Sequence, residues 1–255
     1  MRYFLTLAYN GTAFHGWQRQ PNAISIQQAL EEALSTLLRE PIAIIGAGRT
    51  DTGVHAKEMM AHFEADLSAE TQENLPYLLN RFIKEDIVIY RLEKVKADAH
   101  ARFDAIARTY EYHLGFQKNP FKQQLYYYFH QPVSLEKMNQ AAQILLKYED
   151  FEAFAKTHSD VKTFLCNITK AHWESTKEGA IFTITANRFL RNMVRSIVGT
   201  LLEVGTGKIE VLDLHKIIQS KNRGEAGFSV PASGLYLTEI KYPQNIYKRR
   251  ESKLI

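Results

Sequence analysis

The chain has 255 residues, 45% of them apolar and 24% charged, with a single Cys. This composition excludes wholesale disorder and fibrous repeats. One Cys excludes an internal disulfide and a Cys-rich zinc site, and no run of about 18 apolar residues exists to form a transmembrane helix. The net charge is +4, unevenly spread: residues 181–255 hold 12 Lys/Arg against 6 Asp/Glu, and the first 180 hold 20 against 22. A basic last third suits an anionic partner such as nucleic acid. It equally suits a solvated surface with a basic tail, because Lys248-Arg249-Arg250 alone supplies half of the excess. The opening Met1-Arg2-Tyr3-Phe4 runs straight into strand-like sequence without the apolar stretch or cleavage site of a signal peptide, so the cytoplasm is the expected compartment.

In chain order, Tyr3–Tyr9 reads as a strand, rich in aromatics and Leu. Ser25-Ile26-Gln27-Gln28 reads as a capping box. Behind it, Ile26, Leu30, Ala33, Leu34 and Leu37 keep a helical period until Pro41. Ile42–Ile45 predicts a short strand, followed by a Gly-rich loop over 46–53 and a strand over His55–Ala65. Asn74–Phe82 predicts a helix with Pro76 in its first turn, where proline is tolerated. Asp86–Val95 closes the first half as a strand.

The second half repeats the order. Ala107–Phe116 predicts a strand, and Ser134 caps a helix carrying Leu135, Met138, Ala142 and Leu145 on one side. Cys166–Ser175 and Ala180–Asn187 predict two strands joined by a turn at Gly179. Leu190–Val204 predicts a helix stopped by Gly205 and Gly207. Val211–Ser220 predicts another helix, and Gly234–Tyr242 a last strand. Each half therefore reads β-α-β-β-α-β, with one extra helix in the second; this is the ferredoxin-like order, which makes an antiparallel sheet with helices on one face.

Three segments could carry chemistry. The first, Gly46-Ala47-Gly48-Arg49-Thr50-Asp51-Thr52-Gly53-Val54-His55-Ala56, lacks the third glycine of a dinucleotide fingerprint and the Gly-Lys-Ser/Thr of a Walker loop. It reads either as a loop that presents Asp51, with Arg49 and His55 able to meet a carboxylate or phosphate, or as a hairpin turn with Asp in its ordinary turn role. The second, Arg102-Phe103 through Arg108-Thr109-Tyr110-Glu111-Tyr112, mixes Arg with aromatics as nucleic-acid surfaces do. It also reads as a plain strand with Tyr110 and Tyr112 on one face. The third, Asn187-Arg188-Phe189-Leu190-Arg191-Asn192-Met193-Val194-Arg195, opens a helix. There Arg191 and Arg195 are i,i+4 neighbours opposite a stripe of Met193, Ile197, Leu201 and Val204. Arg195 then needs a carboxylate or phosphate partner, for which Asp51 is a candidate, or belongs to a solvated basic face.

Other chemistries find less support. The nine His include no HExxH, and His55 and His62 lie on opposite faces of one strand. No Gly-x-Ser-x-Gly is present. Cys166 sits in a strand pattern without an activating neighbour and reads as core.

Taken together, these segments resemble the tRNA pseudouridine synthase A family. The resemblance rests on Tyr9-Asn10-Gly11-Thr12-Ala13-Phe14-His15-Gly16-Trp17-Gln18-Arg19-Gln20, Gly48–Ala56, His100-Ala101-Arg102-Phe103, Arg108–Tyr112, Asn187–Arg195, Val204-Gly205-Thr206-Gly207 and Pro231-Ala232-Ser233-Gly234-Leu235-Tyr236-Leu237. It departs from the family pattern at Lys57-Glu58-Met59-Met60, at Ala99 and at Phe228-Ser229-Val230-Pro231. The resemblance implies an α+β protein of two domains, 1–105 and 106–255, each a βαββαβ unit, with antiparallel sheets flanking a basic cleft. It implies a homodimer that holds tRNA, no metal or organic cofactor, and conversion of uridine to pseudouridine at positions 38, 39 and 40 of the anticodon stem-loop.

By position, Asp51 takes the place of the catalytic aspartate. Tyr110 takes that of the tyrosine stacked on the target base, and Arg195 that of the arginine paired with the aspartate. Arg49, His55, Arg188 and Arg191 are expected to contact the RNA backbone. Two other classes stay open on the residues alone. One is an RNA-binding module without activity, which needs no carboxylate. The other is a nucleotide-binding enzyme using the 46–53 loop.

Overall fold

The computed structural model describes residues 1–157 and 161–247; the basic run Lys248–Arg250 lies outside the described residues. The chain divides into two compact units, Met1–Ile106 with the residues from Glu239 onward, and Ala107–Thr238. Both are mixed α+β with mostly antiparallel pairing.

The first unit runs β1 (Arg2–Tyr9), α1 (Ile26–Leu38), β2 (Ile45–Gly46), β3 (His55–Glu64), α2 (Ala69–Phe82) and β4 (Ile87–Lys94). Its strand order is β4-β1-β3, with β2 on β3. Pairing is antiparallel in a register that sets Tyr3 opposite Phe63 and Leu5 opposite Ala61. Tyr3, Leu5, Met59, Ala61 and Phe63 are buried together with Leu30 and Leu34 of α1 and Leu75 and Leu79 of α2. The α1 cap is half of the expected box: Ser25 Oγ accepts from the Gln28 N–H at 3.2 Å, but the Gln28 side chain donates to Glu32 instead of returning to the cap. The helix ends before Pro41, with Arg39 left-handed at φ 58°.

Two expectations are corrected in this unit. The strand expected over Ile42–Ile45 is only the pair Ile45–Gly46. Helix α2 begins five residues earlier than Asn74. Its cap is Ser68, which accepts from the Thr71 N–H at 3.1 Å, so Pro76 lies inside the helix. The added turn, Ala69-Glu70-Thr71-Gln72-Glu73, is polar and solvated, and it carries no apolar period for sequence to register.

The second unit runs β5 (Ala107–Gly115), β6 (Tyr127–Tyr128), α3 (Leu135–Leu145), β7 (Ile168–Ser175), β8 (Gly179–Ala186), α4 (Met193–Gly205), α5 (Asp213–Ser220) and β9 (Leu235–Lys241), whose last three residues belong to the first unit. Its strand order is β9-β5-β8-β7, and β6 pairs β5 in parallel. In β8, Ala180, Phe182, Ile184 and Ala186 alternate inward, and Phe182 meets Trp173 of β7 with ring centroids 5.0 Å apart. Ser134 caps α3 as expected, accepting from the Lys137 N–H.

Helix α4 is also corrected: it starts at Met193, not Leu190, because Asn192 is left-handed at φ 67°. All its residues except Arg195 and Glu203 are buried. The expected polar side of an amphipathic helix therefore shrinks to those two positions.

The outer strands β4 and β7 share one device. An outer strand leaves N–H and C=O groups that invite pairing with another chain. On β4, Asn80 of α2 takes both groups of Ile89, accepting from its N–H and donating to its carbonyl at 2.7 Å each. On β7, Asn139 of α3 does the same for Trp173 at 2.7 and 3.0 Å.

Candidate functional site

The residues singled out from sequence divide between the units. Asp51, Arg49 and His55 lie in the first; Tyr110, Arg188, Arg191 and Arg195 lie in the second.

In the first unit, Asp51 stands half-buried in the loop between β2 and β3. That loop is locked by the Gly11–Trp17 stretch after β1. Trp17 donates its N–H to the Thr50 carbonyl at 3.1 Å, and Gly53 donates to the Phe14 carbonyl at 3.4 Å. The Tyr9 and Thr50 hydroxyls share a hydrogen bond of 2.8 Å. Gly16 adopts φ 83°, and a Cβ there would collide with the Thr50 carbonyl, so both the left-handed turn and the close approach require glycine. Asp51 accepts the Val54 N–H on its own carbonyl at 3.1 Å, which closes the turn. The result is a carboxylate held on backbone that neighbours fix on both sides, not on a free hairpin tip.

His55 is 1% exposed, and its Nδ1 accepts from the Gly11 N–H at 3.1 Å. Its side chain thus belongs to the scaffold of the loop, a placement that differs from the expected contact with RNA backbone. Arg49 is exposed, and its Nε donates to Gln18 at 3.1 Å. Sequence reasoning passed over Gln18, Tyr9 and Trp17 as supports of the loop. Tyr9 ends β1 and Trp17 and Gln18 follow soon after it, yet all three reach a segment more than thirty residues away.

In the second unit, Tyr110 of β5 is half-buried and meets Phe189 edge to face. Tyr112, on the same face, is fully buried, and its hydroxyl donates to the Pro231 carbonyl at 2.8 Å. Burial pushes the Tyr112 phenol far above the usual tyrosine range, with Tyr127 adding to the shift and Arg195 opposing it. Tyr112 is therefore a neutral structural donor.

Arg195 is the half-exposed residue of the first turn of α4, and its Nε donates to the Val230 carbonyl at 2.6 Å. Arg191 is exposed and precedes the helix, so the expected i,i+4 pair with Arg195 on one helical face does not form. The Arg191 carbonyl accepts from the Lys156 N–H. Arg188 is half-buried and donates to the Thr163 carbonyl at 3.4 Å. Among the described residues no cluster of three or more His, Cys, Asp or Glu is placed to hold a metal ion, and no helix is long and apolar enough to cross a membrane.

The chain is thus a mixed α+β protein, with an aspartate on a glycine-shaped loop in one unit and arginines and an aromatic ring at the head of a buried helix in the other. Comparison with known proteins narrows the class. A family model described as tRNA pseudouridine synthase matches residues 6–104 and 141–243. The chain belongs to this family, which is a family of isomerases. It is 53% identical over 251 residues to the tRNA pseudouridine synthase A of Porphyromonas gingivalis, covering 96% of this chain and 99% of that one. It is 52% identical to the protein of the same name from Bacteroides fragilis, covering 97% and 98%. It is 40% identical to that of Bacillus licheniformis, covering 95% and 99%.

Proposed function

We propose that this protein isomerises uridine to pseudouridine at positions 38, 39 and 40 of the tRNA anticodon stem-loop, with Asp51 as the catalytic carboxylate. The observation that carries this reading is the immobilised Asp51 loop, found in a chain whose relatives are tRNA pseudouridine synthases along nearly their whole length. The two strand orders, β4-β1-β3 with β2 beyond and β9-β5-β8-β7, support reading the units as ferredoxin-like domains. The first carries the aspartate loop; the second carries the stacking Tyr and the arginines.

The reaction breaks the bond between uracil N1 and ribose C1′, turns the base, joins C5 to C1′ and releases the C5 proton, while N1 takes up a proton in its place. Substrate and product are isomers, so no redox partner is consumed. An ionised Asp51 serves as nucleophile toward base or sugar, or as base toward a ribose proton. Arg195 pairs with it and keeps it ionised. The target uridine leaves the helical stack to reach the carboxylate. Tyr110 stacks on the flipped uracil and, through its hydroxyl, takes part in removing the C5 proton. Arg49, Arg188 and Arg191 contact phosphates, which positions the RNA without reading its sequence. His55 acts one step back, by shaping the loop. The enzyme works as a cytoplasmic homodimer without metal or organic cofactor.

The test is incubation with unmodified tRNA followed by chemical mapping of pseudouridine. Stops at 38, 39 or 40 are expected. Absence of pseudouridine, or its appearance only elsewhere in the tRNA, contradicts the assignment.

A further inference from the structure

The head of α4 is held from outside the helix by the 226–230 segment. Asn192, the residue before the helix, is left-handed, a conformation uncommon for a non-glycine residue and one that Asn adopts more readily than most. Its amide donates to Ser229 Oγ at 2.5 Å. The same Oγ accepts from Arg223 Nη2 at 2.9 Å. Arg223 Nη1 donates to the carbonyls of Ala226 and Gly227, each at 3.1 Å. One half-buried guanidinium therefore gathers three points of the 226–229 segment.

That segment lies directly on α4. The Gly227 N–H donates to Thr200 Oγ1 at 2.8 Å. Any Cβ on Gly199 would overlap the Phe228 carbonyl, so only glycine lets the two backbones come this close. The segment ends on Val230, which is fully buried and grips Arg195 twice. The Val230 N–H donates to the Arg195 carbonyl at 3.3 Å, and the Arg195 Nε donates to the Val230 carbonyl at 2.6 Å. With Nε committed to Val230, the Nη1–Nη2 end of the guanidinium is the edge that Arg195 can present to a carboxylate.

We infer that Arg223 is a positioning residue for the uridine isomerisation: by fastening the 226–230 segment to α4 and to Asn192, it sets the direction of the Arg195 guanidinium. This rests on the reading of Arg195 as the partner of Asp51. A planar fork with several donors suits three acceptors that lie in different directions, whereas a lysine reaches fewer of them.

The test uses the full chain, unmodified tRNA and two measurements: single-turnover tritium release from C5-labelled uridine at saturating enzyme, and the Kd for tRNA. Arg223→Gln and Ser229→Ala are each expected to slow single turnover about tenfold to a hundredfold, the scale of a small misplacement of a reacting group. Kd should change less than about threefold, and Arg223→Lys should recover part of the rate. In an Arg195→Ala background neither substitution should slow the reaction further, because both act through Arg195. Additive losses in that background overturn the proposal, as does a wild-type rate in Arg223→Gln and Ser229→Ala alongside a slow Arg195→Ala. If Arg195→Ala itself turns over at the wild-type rate, the failure belongs to the reading of Arg195, and the positioning role falls with it. Ser229→Ala removes one hydroxyl and no charge, so it carries the test should Arg223→Gln fold poorly.

Discussion

The ring of Tyr110 meets that of Phe189 edge to face, with centroids 5.1 Å apart and planes at 86°. A strand residue and a residue from the turn before α4 thus fix each other's orientation. Such pairs contribute about 0.5–1.5 kcal/mol beyond their buried area. If Tyr110 stacks on the target uracil, its hydroxyl and its ring make separable contributions. Tyr110→Phe keeps the ring and should leave tRNA affinity within about threefold, while slowing single-turnover tritium release about a hundredfold, within the range for a positioned proton-transfer group. Phe189→Ala should slow release as well, through loss of Tyr110 orientation. A Tyr110→Phe enzyme with wild-type release assigns the C5 proton to another group.

Arg191 is exposed at the surface just ahead of α4, where a phosphate contact needs it. Arg191→Ala should weaken tRNA binding and lower the slope of log affinity against log salt by about one. The single-turnover rate at saturating enzyme should hold. Filter binding across a salt series measures this, and an unchanged slope contradicts the role.

Asn80 and Asn139 close the two outer strands by the same pair of hydrogen bonds. Asn80→Leu or Asn139→Leu leaves an N–H and a carbonyl without their partner, and each should cost about 1–3 kcal/mol in urea unfolding. The double variant should also associate through its opened edges, visible as rising light scattering with concentration. Wild-type midpoints in both single variants contradict the account.

His62 of β3 is 4% exposed, and burial, reinforced by neighbouring His100 and Arg2, pushes its imidazole down from 6.5 to about 4. Between those values the unfolded chain binds more protons than the folded one, so stability falls as pH drops from about 6.5 toward about 4. This one group accounts for up to about 3 kcal/mol of the loss. His100 is lowered chiefly by burial too and acts in the same direction. The melting temperature should decline across this window. His62→Asn, which keeps an acceptor for the Ala101 N–H that His62 Nδ1 now binds, should flatten the decline. An unchanged profile removes His62 from the explanation.

Features with a local cause were legible in the sequence. Ser25 and Ser134 announced their helices because the cap and the N–H it satisfies lie three residues apart. The expected strand Ala180–Asn187 matches β8 closely, and its buried Ala180, Phe182, Ile184 and Ala186 repeat with the period of the strand itself. Asp51 stood out because glycines flank it on both sides. The start of α2 escaped although its Ser68 cap is local, because the turn behind it carries no apolar period; the rest of what escaped has distant causes. The start of α4 depends on Asn192 turning left-handed, and Ser229, 37 residues on, holds it there. The Asp51 loop depends on Trp17 and Phe14, and the final strand runs its last residues into the unit where the chain began. His55 looked like a phosphate ligand by type, but its burial against Gly11 is set by tertiary packing that no spacing encodes.

The central claim is that the Asp51 carboxylate performs the chemistry. Asp51→Asn changes one oxygen to nitrogen and leaves the backbone bonds of the loop in place. The decisive measurement is tritium release from C5-labelled uridine in tRNA, with binding of the same tRNA measured in parallel. The account predicts no detectable turnover at near wild-type affinity; release near the wild-type rate would contradict it.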